Sequence, residues 1–84
     1  MQIGDIVVSR AGHDTGDPFV VIAVLNEQFV LIADGKSRTA EKPKLKRKRH
    51  LRVVDQSGIT DPTNAALKRR IKQFIQERRL YAEK

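Results

Sequence analysis

Phe19-Val20-Val21-Ile22-Ala23-Val24-Leu25, a step at Asn26-Glu27, then Gln28-Phe29-Val30-Leu31-Ile32-Ala33 and the turn pair Asp34-Gly35 form the stretch that decides how this chain folds. Its apolar residues come in short β-branched runs bounded by turn residues instead of recurring at helical spacing, which reads as two strands, Phe19–Leu25 and Gln28–Ala33, joined by a tight hairpin. Working back, Asp5–Ser9 has the same character and makes a first strand, with Ala11–Pro18 as the connection. Gly12, Gly16 and Pro18 punctuate that connection, and Gly16 is the position suited to positive φ, which costs glycine little. Working forward, Asp34-Gly35 marks a turn, Ser37–Lys42 suits a short strand, and His50–Asp55 suits a further strand beyond a basic loop.

Near the C-terminus the period changes from two to 3.6. Leu67, Ile71, Phe74, Ile75 and Tyr81 fall on one stripe of a helix spanning about residues 62–81. Asp61 is placed as its N-cap and Pro62 as its first residue. An apolar stripe needs a partner, so helix and strands are expected to share a core. The chain therefore reads as one mainly β domain: a small barrel over residues 1–58, including a basic loop at 42–52, with residues 59–84 as a helix packed on it.

Eighty-four residues fit one domain, which hides only about 60% of the surface that its unfolded chain exposes and has no room for a large catalytic cleft. With 39% hydrophobic and 32% charged residues the chain suits a globular domain with a charged exterior. It has no cysteine, which excludes disulfides and a thiolate zinc site and fits a reducing compartment. Residues 1–5 lack the basic and apolar runs of a signal peptide, and no apolar segment approaches the roughly 18 residues of a membrane span. A cytoplasmic location and no membrane partner are expected.

The net charge of +7 is concentrated. Residues 1–35 carry one base against five acids, residues 36–52 nine bases against Glu41, and residues 53–84 seven bases against four acids. Within 42–52 seven of eleven residues are cationic: Lys42, Lys44, Lys46, Arg47, Lys48, Arg49 and Arg52. Such a run repels itself and is expected to be mobile until phosphates neutralise it, which releases counterions and makes binding steeply salt-dependent. Arginine adds planar bidentate donors suited to phosphate. The bland reading is a solvated loop. Base-specific readout has no support in the pattern, and with aromatics at 5%, Phe19, Phe29 and Phe74 are assigned to the core instead of to stacking platforms. A second basic set, Lys68, Arg69, Arg70, Lys72, Arg78 and Arg79, flanks the helical stripe and serves solubility, auxiliary phosphate contacts or, as an amphipathic basic helix, contact with an anionic membrane.

Catalytic and metal chemistry find no footing. His13 and His50 are the only histidines, at a spacing that matches no metal motif, and no cofactor is implied. Ser9, His13 and Asp14 include triad residue types, yet nothing supplies an oxyanion hole. Gly35-Lys36-Ser37 lacks the upstream glycine of a phosphate-binding loop.

Gly4-Asp5-Ile6-Val7-Val8, Ala11-Gly12-His13-Asp14-Thr15-Gly16, Phe19–Val24 and Val30-Leu31-Ile32-Ala33-Asp34-Gly35 resemble a KOW motif over about residues 3–35. The continuation Lys36-Ser37-Arg38, Lys42-Pro43-Lys44 and Lys48-Arg49-His50-Leu51 is similar to small bacterial KOW-domain RNA-binding proteins related to the fourteen-e, six-e and twenty-seven-e ribosomal proteins of the large subunit. The resemblance implies an SH3-like barrel, binding to RNA and association with the ribosomal particle, without catalysis. It also implies that the Gly12–Pro18 loop touches RNA. The residues expected to do so are Arg10, His13, Lys36, Arg38, Lys42, Lys44, Lys46, Arg47, Lys48, Arg49, His50 and Arg52, with ribosomal RNA as the expected partner. The alternative is a KOW protein-interaction module of a transcription or translation complex, whose binding would respond weakly to salt.

Overall fold

A computed structural model describes residues 1–10 and 16–82, with side chains up to residue 78. Among the described residues five strands and one helix follow one another: β1 (Asp5–Ser9), β2 (Pro18–Val24), β3 (Phe29–Ala33), β4 (Lys44–Arg47), β5 (Leu51–Gln56) and α1 (Asn64–Ala82), with a 3-10 turn, Lys48–His50, between β4 and β5. The strands form a single antiparallel sheet in the order β4-β3-β2-β1-β5. Laid flat, five strands would hold the two edges about 19 Å apart. The four steps from Arg47 to Leu51 reach at most about 14 Å even when extended, and the 3-10 turn shortens them further. The sheet is therefore rolled, as expected of an SH3-like barrel. The turn is stitched to its surroundings by the Lys48 N–H, which donates to the Gln28 carbonyl (2.8 Å), and by the His50 carbonyl, which accepts from the Arg10 N–H (2.7 Å). Register shifts between Ile6 and Val7 and between Val21 and Ala23 add local curl.

Period two decides which side chain enters which core. Val7, Phe19, Val21, Val30, Ile32 and Leu51 fill the barrel, while Ile6, Val20 and Ala33 point the other way and meet Leu67, Ile71 and Phe74 of α1. All five β1 residues are buried because the strand is covered on both faces. The shared core of helix and barrel is as the periodicity predicts, with two corrections. Ile75 is 39% exposed, since it lies past the edge of the contact. Phe29 is only half-buried, on the outer face of β3, instead of lying in the core. The Tyr81 side chain lies outside those described.

Gly16 has φ +86, as its position in the first connection predicts. The β2–β3 loop is wider than a two-residue hairpin and runs from Leu25 to Gln28. Its form is set by Asn26, whose Oδ1 accepts from the N–H groups of Gln28 and Phe29, both at 2.8 Å. The strand expected at Ser37–Lys42 does not form. Asp34 intercepts its backbone: the N–H groups of Lys36 (2.9 Å) and Arg38 (2.8 Å) and the Ser37 hydroxyl (2.9 Å) all donate to the carboxylate. Burial pushes the Asp34 carboxyl up, but these donors outweigh it and hold it below its ordinary value.

The helix begins two residues later than predicted and its cap is Thr63, not Asp61. The Thr63 Oγ1 accepts from the Ala66 N–H (3.2 Å) and its carbonyl accepts from Leu67 (2.9 Å). Pro62 precedes the cap, so the prolyl ring sets the approach instead of opening the first turn. Asn64 then ties α1 to the β3–β4 connection, its Oδ1 accepting from the Ala40 N–H and its Nδ2 donating to Glu41, both at 2.8 Å. The second bond holds the exposed Glu41 carboxyl below its ordinary value.

Candidate nucleic-acid interface

The tract expected to be a mobile loop is instead mostly ordered structure. Lys44-Leu45-Lys46-Arg47 extends as β4 because β3 offers it an unpaired edge, and the backbone bonds along Phe29–Ile32 outweigh the repulsion among its cations. An edge strand lined with lysine also resists pairing with another chain's edge, so part of this charge has a protective use independent of any ligand.

Pairing sorts the four side chains onto two faces. Lys44 and Lys46 oppose Ile32 and Val30, whose side chains fill the barrel, so these two lysines lie over its rim and are half-buried. Both engage other groups of the protein. Leu45 and Arg47 oppose Leu31 and Phe29 on the outer face and are exposed. The Arg47 guanidinium lies over the Phe29 ring, 5.1 Å from its centroid.

The corner after β4 gathers the densest charge. Arg47 leads into Lys48, Arg49 and His50, and Arg52 follows on β5, paired with Val8 of β1. Arg10 is brought beside them by its backbone bond to His50. Arg10, Arg47, Arg49 and Arg52 are exposed, and Lys48 and His50 are half-buried. A small open cavity of about 160 Å³ at this corner is lined by Glu27, Gln28, Arg47, Lys48 and Arg49.

The remaining expected residues divide. Lys36 and Arg38 sit at the far end of β3, about 16 Å along the strand from the corner. Lys42 leads into the same end of β4, its N–H bonded to Thr39. There Lys36 shares a groove of about 620 Å³ with Lys68, Lys72, Ile71 and Ile75 of α1 and with Asp17 and Asp34. His13 and most of the Gly12–Pro18 loop lie outside the described residues.

Arg70 leaves the basic set of the helix. Its side chain is 18% exposed and turned inward, its Nη2 contacting the Asp55 carboxylate at 3.4 Å and donating to the Gln56 carbonyl at 3.3 Å, while its Nε donates to the Ser57 carbonyl at 3.3 Å. It staples α1 to the end of β5, and only the fold reveals this. Arg78 lies over the Phe74 ring at 5.4 Å, while Lys68, Arg69 and Lys72 are exposed. Among the described residues no group of three or more histidine, cysteine, aspartate or glutamate side chains is arranged to hold a metal, and no helix is long and apolar enough to cross a membrane.

No protein-family model matches the chain. Two archaeal proteins are similar to it. The large ribosomal subunit protein eL14 of Staphylothermus marinus is 34% identical over 55 residues, covering 66% of this chain and 57% of the relative. Its counterpart in Desulfurococcus amylolyticus is 32% identical over 57 residues, covering 68% and 59%. Over that stretch the chain is similar to archaeal large-subunit ribosomal proteins. The match to eL14 spans less than two thirds of those relatives' own length. It supports the ribosomal resemblance drawn from residues 3–52.

Proposed function

We propose that this chain is a KOW-type RNA-binding protein that takes ribosomal RNA as its ligand and acts in the cytoplasm in translation or ribosome assembly, without catalysing a reaction. The observation that carries the reading is the corner between β4 and β5. There Arg10, Arg47, Lys48, Arg49, His50 and Arg52 are held within one short turn and the strand ends beside it. A rolled sheet fixes the backbone of these cations, so their mutual repulsion is met in advance by strand pairing and core burial, and an arriving phosphate chain relieves it. Lys42, Lys44 and Lys46 continue the positive strip along β4. The similarity to large ribosomal subunit proteins favours RNA over other polyanions.

The rival reading, a protein-docking module, has its own observation in Leu45, which is 54% exposed beside Leu31 and Phe29. Ionic strength separates the two. Binding to a ribosomal RNA fragment is expected to weaken in proportion to the logarithm of salt concentration, with a slope near −0.7 per single-stranded phosphate neutralised. Reversal of Arg47, Arg49 and Arg52 to glutamate is expected to abolish it while the protein keeps cooperative unfolding. Retained binding by the triple variant, or affinity indifferent to salt, would sink the assignment.

A further inference from the structure

We infer that the Arg47–Phe29 stack and the cavity beside it form a seat for one unpaired nucleobase, so that the corner reads a base where the rest of the surface holds phosphates. The inference rests on the RNA-binding reading. Three observations meet at one place. First, the Cζ of Arg47 lies over the Phe29 ring, 5.1 Å from its centroid, with Phe29 half-buried and the arginine exposed. A guanidinium held over a ring in this way offers a planar group on which a base can stack. Second, exposed Leu45 lies two residues back on the same face, extending the flat surface with apolar area suited to a base or ribose. Third, the adjoining cavity of about 160 Å³ accommodates one base and is too small for a base pair.

The cavity's lining argues against a phosphate as its occupant. Glu27 contributes a carboxylate-bearing side chain and Gln28 an amide-bearing one to a lining that also includes Arg47, Lys48 and Arg49. A phosphate inside would face that carboxylate. A neutral base with an exocyclic amino group would instead donate to it, as cytosine N4 or adenine N6 does to an acidic side chain. The flanking phosphates of the same nucleotide strand are left to Lys48 and Arg49. The seat therefore favours adenine, cytosine or guanine over uracil.

The test compares two RNA hairpins with the same stem, one fully paired and one carrying a single bulged adenosine, each titrated with the full chain at one salt concentration. The bulged hairpin is expected to bind roughly tenfold tighter, the scale of one stacked base. Fluorescence of 2-aminopurine at the bulge is expected to fall on binding. Arg47→Lys keeps the charge and removes the plane; it is expected to cost the bulged hairpin several-fold more affinity than the paired one and so to erase the preference. Phe29→Leu is expected to act in the same direction, and replacing the bulged adenosine by uridine to lose part of the gain. Equal losses on both hairpins in Arg47→Lys, or wild-type protein that binds both alike, would overturn the base seat while leaving RNA binding intact. Failure of the wild-type chain to bind either hairpin would overturn both proposals.

Discussion

Arg70 shows how far a side chain's role can depart from its charge. In the linear chain it is one of six cations along a helix; in the fold its guanidinium is spent on Asp55 and the carbonyls of Gln56 and Ser57. Arg70→Ala is expected to lower unfolding free energy by about 1.5–3 kcal/mol, as for other hydrogen bonds to charged groups. A urea titration would measure this. Arg70→Lys is expected to recover only part, because an ammonium cannot span three acceptors with a fixed fork. Asp34 carries a different signature. Its folded carboxyl lies below its ordinary value, so its turn is fully stabilised above the unfolded pKa of about 3.9 and loses that contribution as pH falls through the lower folded value. Asp34→Asn keeps the acceptor for the turn but has no proton to gain. The drop in stability from about pH 4 downward is therefore expected to be smaller in this variant than in the wild type, as read by thermal unfolding across pH. If both lose stability in parallel, the carboxylate is not the sensor.

At the scale of elements, the helix and β4 make opposite points. The helix was legible because its apolar stripe repeats along one chain segment, yet its start was misplaced: Asp61-Pro62 satisfies the usual cap pattern, but the Thr63 hydroxyl makes the bond. Thr63→Ala is expected to cost about 1 kcal/mol, while Asp61→Ala is expected to stay within about 0.5 kcal/mol. The reverse order would restore the earlier boundary. Strand β4 was not legible, because a run of lysine and arginine has no apolar alternation to announce a strand. Its conformation comes from the open edge of β3, and its neighbour Ser37–Lys42, which reads better as a strand, is turned aside by Asp34. Gly35 guards the same junction: its φ is +79 and a Cβ there would run into the Asn64 carbonyl, so the turn can sit against the helix start only if this residue is glycine.

For the whole molecule, the rolled sheet sets two basic regions at opposite ends of the barrel, the β4–β5 corner and the Lys36–Arg38 turn beside α1. Regions that far apart are expected to contribute additively to binding free energy. Neutralising Arg49 and Arg52 is expected to lower the salt slope of RNA binding by about one per lost phosphate contact. Neutralising Lys36 and Arg38 is expected to leave the slope unchanged if only the corner engages RNA, and to add a further decrease if the strand of RNA reaches across the sheet edge. Filter binding over a salt series with each pair and with all four measures both. What the linear order of residues determined by itself was everything encoded within a few positions: β1, β2 and β3 from short apolar runs bounded by turn residues, β5 beyond the basic tract, a helix from period 3.6, and a concentration of cations in one segment. What only the tertiary structure decided was which of those cations meet. Cross-strand register places Arg47 over Phe29 and turns Lys44 and Lys46 to the rim, strand direction carries Lys36 and Arg38 to the other end, and helix docking takes Arg70 inward. Periodicity is a local property of the backbone, whereas register and docking arise from burying two faces of one sheet at once, a constraint that no single segment carries.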